Sequence, residues 1–164
     1  MPETYLLDTN IFITAANNYY AFDLAPPFWK QLEELLHNGV FYIIDEVYKE
    51  IDKGEDDLAE WLKSILDIKR SLRSDNTHVI SAYKNIINTV YTDKNYTERA
   101  KEQFASCADS WLIAHAFAKK YTIVTLEKFD PAIKRKVKIP NVCKNFNIRY
   151  TDLFNFMRSV NLTL

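Results

Sequence analysis

The sequence predicts an α/β protein with a parallel sheet covered by helices on both faces. Three observations carry this. Short, continuous apolar runs at 4–8, 40–44 and 121–125 suit strands buried on both sides. Amphipathic patterns of helical period separate them. The chain has ten Phe and ten Tyr but only two Gly, which argues against a turn-rich all-β fold and against a glycine-rich phosphate loop. Strands alternating with helices make parallel neighbours.

Taken in order, residues 4–8 form the first strand, and Ile11-Phe12-Ile13 begins a second apolar pattern. Pro26-Pro27 breaks the chain and opens a helix, since proline suits a first helical turn. Phe28, Leu32, Leu35 and Leu36 follow at helical spacing, and Asn38-Gly39 ends that helix. The second strand is 40–44. Asp45 can cap a helix running through Ile51, with Lys53-Gly54 as its stop. Leu58, Trp61, Leu62, Ile65 and Leu66 make another amphipathic helix, and 78–91 one more. Segments 69–76 and 92–96 read as polar connections. A strong helix spans 106–120, with Leu112, Ile113, Ala116 and Phe117 on one face and Lys119-Lys120 at its negative end. The third strand, 121–125, runs into a polar, basic loop. A last short strand is expected at 147–150, and Thr151 caps a closing helix to about Arg158. No repeat or linker divides residues 1–164, which read as one domain.

Composition narrows the function. Formal net charge is −1, so nucleic-acid binding needs a local basic patch rather than overall charge. Cys107 and Cys143 are far apart and lack metal-ligand spacing; buried free thiols are expected. His37, His78 and His115 are isolated, so neither a zinc motif nor a nucleophilic triad can be assembled. No apolar run reaches the length of a membrane span, and no basic-then-apolar signal opens the chain. A soluble, cytoplasmic protein without membrane association is expected.

The informative residues are acids. In an open α/β sheet the carboxyl ends of the strands form the ligand crevice. Asp8 lies at the end of the first strand. Glu46 and Glu50 are four apart on the helix after the second strand and can face the same way. Asp109 lies in the first turn of the strong helix, and Glu127 and Asp130 lie just beyond the third strand. Carboxylates gathered at one edge need a counter-charge, and Mg²⁺ or Mn²⁺ with its hard oxygen ligands is the natural one. Such an ion makes hydroxide available near neutral pH and offsets charge building on a phosphodiester, with no side-chain nucleophile required. Each acid also has a plainer reading. Asp8 can be a turn residue, Glu46 and Asp109 can answer the helix dipole, and Glu50, Glu127 and Asp130 can be solvated.

In order, these segments resemble a PIN domain. Leu7-Asp8-Thr9-Asn10-Ile11-Phe12-Ile13 matches the family's first motif closely. Glu50-Ile51-Asp52-Lys53-Gly54 resembles the second, and Ala108-Asp109-Ser110-Trp111-Leu112-Ile113-Ala114-His115-Ala116 the third. Thr122-Ile123-Val124-Thr125-Leu126-Glu127 resembles the strand leading to the fourth acidic position. The similarity spans nearly the whole chain. It implies a three-layer α/β/α sandwich with a central parallel sheet, and Mg²⁺- or Mn²⁺-dependent hydrolysis of RNA. It points to VapC-like toxins, which often dimerise and are held inactive by a cognate antitoxin.

Carried over residue by residue, the resemblance implies Asp8, Glu50 and Asp109 as metal-binding catalytic carboxylates, with Glu46 as the alternative if the helix register slips one turn. Thr9 or Asn10 can hydrogen-bond Asp8 or a metal-bound water. The fourth position departs from the common toxin pattern: Glu127 stands where an asparagine is usual, and Asp130 follows three residues later. Either can be the ligand; Glu127 is favoured because it is nearer the strand end and Pro131 stiffens the chain beside Asp130. Lys134, Arg135, Lys136 and Lys138 are either a solvated loop or a grip on substrate phosphates. Lys69, Arg70 and Arg73 make a second basic candidate, Tyr91 and Tyr96 are candidates for base stacking, and Tyr19, Tyr20 and Phe22 for a dimer or antitoxin surface. The segment with Trp61 and 69–96 exceeds a minimal toxin and can cover the site or carry a partner surface. The alternatives to an RNA-cleaving toxin are a noncatalytic RNA- or protein-binding scaffold and a metal phosphohydrolase of small phosphate esters.

Overall fold

The computed structural model describes residues 2–164. Four short strands form one parallel sheet in the order β2-β1-β3-β4. They are β1 (Tyr5–Leu7), β2 (Phe41–Tyr42), β3 (Thr122–Val124) and β4 (Tyr150–Thr151). Leu6 pairs with Tyr42 on one side and Ile123 on the other, and Val124 pairs with Thr151. Leu6, Leu7, Ile123 and Val124 are fully buried, which explains why these runs carry no polar alternation. Helices flank the sheet, giving the three-layer α/β arrangement expected.

The helices are α1 (Thr9–Thr14), α2 (Pro26–His37), α3 (Asp45–Asp52), α4 (Asp57–Ile65), α5 (Thr77–Thr92), α6 (Glu98–Ser106), α7 (Ala108–Lys119), α8 (Ile139–Phe146) and α9 (Leu153–Ser159). A π-helical turn, Ala15–Tyr19, extends α1. Gly39 takes φ +73° in the turn from α2 to β2, where a residue with a Cβ is strained. α5 packs along α7, the central helix, with Tyr83 stacked on Trp111 at 3.8 Å. Among the described residues, no helix is long and apolar enough to cross a membrane.

Several expectations need correction. Residues 97–105 are given no element in the sequence pattern, yet α6 runs Glu98–Ser106, capped by Thr97, whose hydroxyl accepts the Ala100 N–H at 3.1 Å. The strong helix therefore begins at Ala108, after an extended Cys107. The loop after β3 contains α8; Ile139, Val142, Cys143 and Phe146 have helical spacing, and Pro140 suits the first turn. The last strand lies at Tyr150–Thr151, and Asp152 rather than Thr151 caps the closing helix, accepting the Asn155 N–H at 2.8 Å. Trp61 covers nothing: it packs among Phe12, Phe22 and Trp29. Tyr20 and Phe22 also turn inward, stacking on Phe28 at 4.4 Å and Trp29 at 4.1 Å.

Asp45 is not the cap of α3 but its first residue. Its buried carboxylate accepts the backbone N–H of Ser74 at 2.9 Å and the Ser74 hydroxyl. That hydroxyl has one proton, spent on Asp45, so Nε2–H of His115 donates to it across 2.9 Å. Nδ1 of His115 has no partner among the described residues, and burial pushes the ring down to about 4, so it is neutral. The network ties α3 and the 71–76 segment to α7. Ser74→Ala leaves Nε2 of His115 without a partner and removes one of the hydrogen bonds to Asp45, and is expected to cost about 1–3 kcal/mol in urea unfolding; a loss near zero means the network contributes nothing.

Candidate active site

β1 ends at Leu7, so Asp8 emerges at the carboxyl edge of the sheet, beside the end of β3. Its backbone N–H donates to the Val124 carbonyl at 3.0 Å, which pins its position. The side chain is 2% exposed, and Oδ2 accepts the Thr125 hydroxyl at 3.1 Å. Thr125 also accepts the Glu127 N–H at 3.1 Å, so one buried threonine orients two of the acids. Sequence patterns assign Thr125 no role; its place at a strand end near an acid is the signal that marks it.

Glu50 reaches the same edge from the last turn of α3. Oε1 accepts the Thr9 hydroxyl at 2.6 Å and Oε2 accepts the Ala108 N–H at 3.1 Å. The carboxylate thus sits at the positive end of α7, where a free N–H and the helix dipole favour it. Thr9 serves Glu50 here, while the backbone N–H of Asn10 turns toward Asp8. Asp109, one residue into α7, faces the same cleft. Glu127 completes the group: Oε1 accepts the Ile139 N–H at 3.3 Å, and Oε2 pairs with Nζ of Lys136 at 2.7 Å.

Asp8, Glu50 and Asp109 line a cleft of about 470 Å³ together with Thr9, Asn10 and Lys136, with α6 supplying Gln103 and Phe104; Glu127 adjoins it through the Lys136 ion pair. The electrostatics are those of crowded acids. Burial, then the charges of Asp8, Glu127 and Glu50, pushes Asp109 up to about 8. Burial, then Glu127, pushes Asp8 up to about 6, against the Thr125 hydrogen bond. Cys107, half-buried on the cleft wall, is driven up to about 12 by burial and Asp109, so its thiol is unreactive.

The remaining candidates fall elsewhere. Asp130 spends its carboxylate on its own turn, accepting the Ala132 N–H at 3.1 Å, and does not line the cleft. Glu46 points away and pairs with Lys49 at 3.1 Å. Of the basic loop, Lys136 enters the cleft; Lys134 and Arg135 are exposed beside it; Lys138 donates to the Lys128 carbonyl at 3.4 Å. Tyr91 and Tyr96 do not line the cleft.

The donor set fits a hard divalent cation in kind. Three carboxylates line the cleft and Glu127 adjoins it, and one lysine relieves their mutual repulsion only in part. They are not converged as a finished cage: among the described residues no three acidic, His or Cys side chains stand in metal-holding geometry. Glu50 is held by Thr9 and Ala108, and Glu127 by Lys136, so these two must shift to share an ion with Asp8 and Asp109.

Residues 5–164 match the profile of a family described as "Domain of unknown function (DUF4411)". The chain belongs to that family. Among solved structures, the DUF4411 chain is similar to a chain of VapBC2 from Rickettsia felis, solved bound to a DNA fragment from their promoter. The TM-score is 0.55 at 20% identity, covering 92% of the DUF4411 chain and 98% of the other. The fold is PIN-like, as the first-strand and α7 motifs implied. Curated protein sequences give no match.

Proposed function

We propose that this DUF4411 chain is a Mg²⁺- or Mn²⁺-dependent endoribonuclease, and the toxin of a toxin–antitoxin pair. The observation that carries the reading is the placement of Asp8 and Asp109 in one cleft, each raised by burial and by its acidic neighbours. A fold selects against such repulsion unless a cation relieves it in the working state. The VapBC2 likeness supports the choice of activity and of a protein antitoxin as partner.

Asp8 and Asp109 would hold the ion, with Glu127 and Glu50 at its flanks. Bound there, a divalent ion supplies a deprotonated water at neutral pH and offsets charge on the phosphodiester. Thr125 fixes the Asp8 rotamer, so that this carboxylate is aimed before substrate arrives, while Glu50 must leave Thr9 to join it. Lys136, freed from Glu127, is placed to pair with a substrate phosphate; Lys134 and Arg135 extend the same charge outward. Cys107 stays a thiol and is unfit for nucleophilic attack.

The test is incubation of the partner-free protein with labelled single-stranded RNA in Mn²⁺, Mg²⁺ or EDTA. Cleavage in metal and none in EDTA is expected. Release of inorganic phosphate from nucleotides, with RNA left intact, would favour the small-ester phosphohydrolase. RNA binding without turnover in any metal would favour the scaffold.

A further inference from the structure

A second groove opens on the far side of Glu127 from the acidic cleft. At about 600 Å³ it is the larger of the two, and its walls include Tyr19, Glu127, Lys128, Phe129, Phe154 and Asn155. It lies along the carboxyl ends of β3 and β4, the edge where open α/β sheets take their ligands. The Glu127–Lys136 ion pair joins the two spaces: Lys136 lines the cleft and Glu127 lines the groove.

The rings in this groove are not needed by the core. Tyr19 is 50% exposed, Phe154 44% and Phe129 39%. Among the described residues three phenylalanines are exposed, and two of them are here. Tyr19 and Phe154 meet with centroids 5.6 Å apart at a tilt of 55°, leaving faces open to the groove. Positive charge accompanies the rings. Nζ of Lys144 lies 3.9 Å over Phe129, Lys128 is exposed on the wall, and Lys134 and Arg135 are exposed on the same loop. The one added acid, Asp152, is occupied: its carboxylate accepts the N–H of Asn155 at 2.8 Å and the Asn155 amide at 3.0 Å.

Open aromatic faces interleaved with lysines, continuous with a phosphodiester site, match single-stranded nucleic acid: bases stack while cations follow the backbone. A strand whose scissile phosphate lies at Asp8 and Asp109 must carry its neighbouring nucleotides out of the cleft, and Glu127 opens directly onto this groove. We propose that the groove is a base-binding subsite of the ribonuclease, in which an unpaired nucleobase of the substrate strand stacks on Phe154 beside Tyr19 and Phe129. The proposal rests on the RNA-cleaving reading for the phosphate's position, and its test separates the two.

Binding of a fluorescent oligouridylate is measured by anisotropy in EDTA, so that no cleavage intervenes. Phe154→Ala is expected to weaken binding about tenfold, the scale of one lost stacking contact. Phe154→Tyr restores it, whereas Phe154→Leu, which keeps apolar bulk and guards against a folding artefact, does not. An oligomer of the same length with abasic sugars binds wild type and Phe154→Ala alike. Tyr91→Ala, an exposed ring on α5, changes nothing. The proposal is overturned by equal oligouridylate affinity in wild type and Phe154→Ala, by an equal loss on the abasic strand, or by no detectable binding to wild type. A Phe154→Ala variant that loses only a protein partner also overturns it and makes the groove a protein interface. Aromatic-dependent RNA binding with no cleavage in Mg²⁺ or Mn²⁺ upholds the groove and sinks the ribonuclease; cleavage with an unchanged KM in Phe154→Ala does the reverse.

Discussion

Asp8→Ala and Asp109→Ala are each expected to lower RNA cleavage in Mn²⁺ by at least about a thousandfold, the scale of several kcal/mol of transition-state stabilisation. Asp8 projects from the end of a fully buried strand, and no other acid can take its place without moving β1. Asp109 is fixed by the first turn of α7, the helix against which α5 and α6 pack. The losses should fall mainly on kcat, since lysines rather than carboxylates hold the strand. Glu127→Gln should be milder, because the amide still accepts from the Ile139 N–H while Lys136 is released. Circular dichroism of each variant confirms that folding is intact. Full activity in Asp109→Ala would remove the acids from the chemistry.

Without metal, the same carboxylates work against the fold, and this gives the second large effect. Asp109 is raised from 3.8 to about 8 and Asp8 from 3.8 to about 6. Between pH 3.8 and about 8 the folded protein therefore binds more protons than the unfolded chain. Stability falls as pH rises through that window, and the full penalty is present above it. Asp109→Asn, which cannot ionise, is expected to raise metal-free stability at pH 8 by about 2–3 kcal/mol, or about 5–10 °C in Tm for a chain of this size. At about pH 4 the gain should nearly vanish. His115 acts in the opposite sense: its lowered value contributes stability above pH 6.5 that is lost as pH falls toward 4. Saturating Mn²⁺ should raise the Tm of wild type at about pH 8 and leave Asp109→Asn almost unmoved. An Asp109→Asn variant less stable than wild type at that pH would mean that the carboxylate is held by favourable contacts.

On the proposed reading, stability and activity oppose each other at Asp109, the buried acid at the start of α7. The sequence carried this much because local patterns do the positioning. A continuous apolar run announces β1, and the residue after it must leave at the sheet edge. The alternation of such runs with amphipathic helices made the parallel sheet readable, and the resemblance of the Asp8 and Asp109 motifs implied the PIN-like fold. The helices α6 and α8 were not legible in the same way. α6 is highly polar, with Ala100 and Phe104 as its main buried contacts, so its apolar face is too thin to stand out. α8 hides behind a lysine-rich approach, although its apolar spacing is sound.

The choice within acid pairs also needed three dimensions. Glu46 and Glu50 share a helical face by spacing, but only Glu50 meets the N-terminus of α7. Glu127 and Asp130 both follow β3, yet Asp130 turns back on Ala132. Thr125 escaped because a threonine at a strand end is common, and its two hydrogen bonds appear only once β1 and β3 are paired. The aromatic groove depends on Tyr19 and Phe154, residues remote in sequence that meet across the end of the sheet.

The most direct measurement is anomalous scattering from crystals of the wild-type protein grown with Mn²⁺. The account predicts a manganese peak in the cleft beside the carboxylates of Asp8 and Asp109, with Lys136 swung away from Glu127. Manganese at saturating concentration that binds elsewhere, or leaves the Asp8–Asp109 cleft empty with the Lys136–Glu127 pair intact, would contradict it.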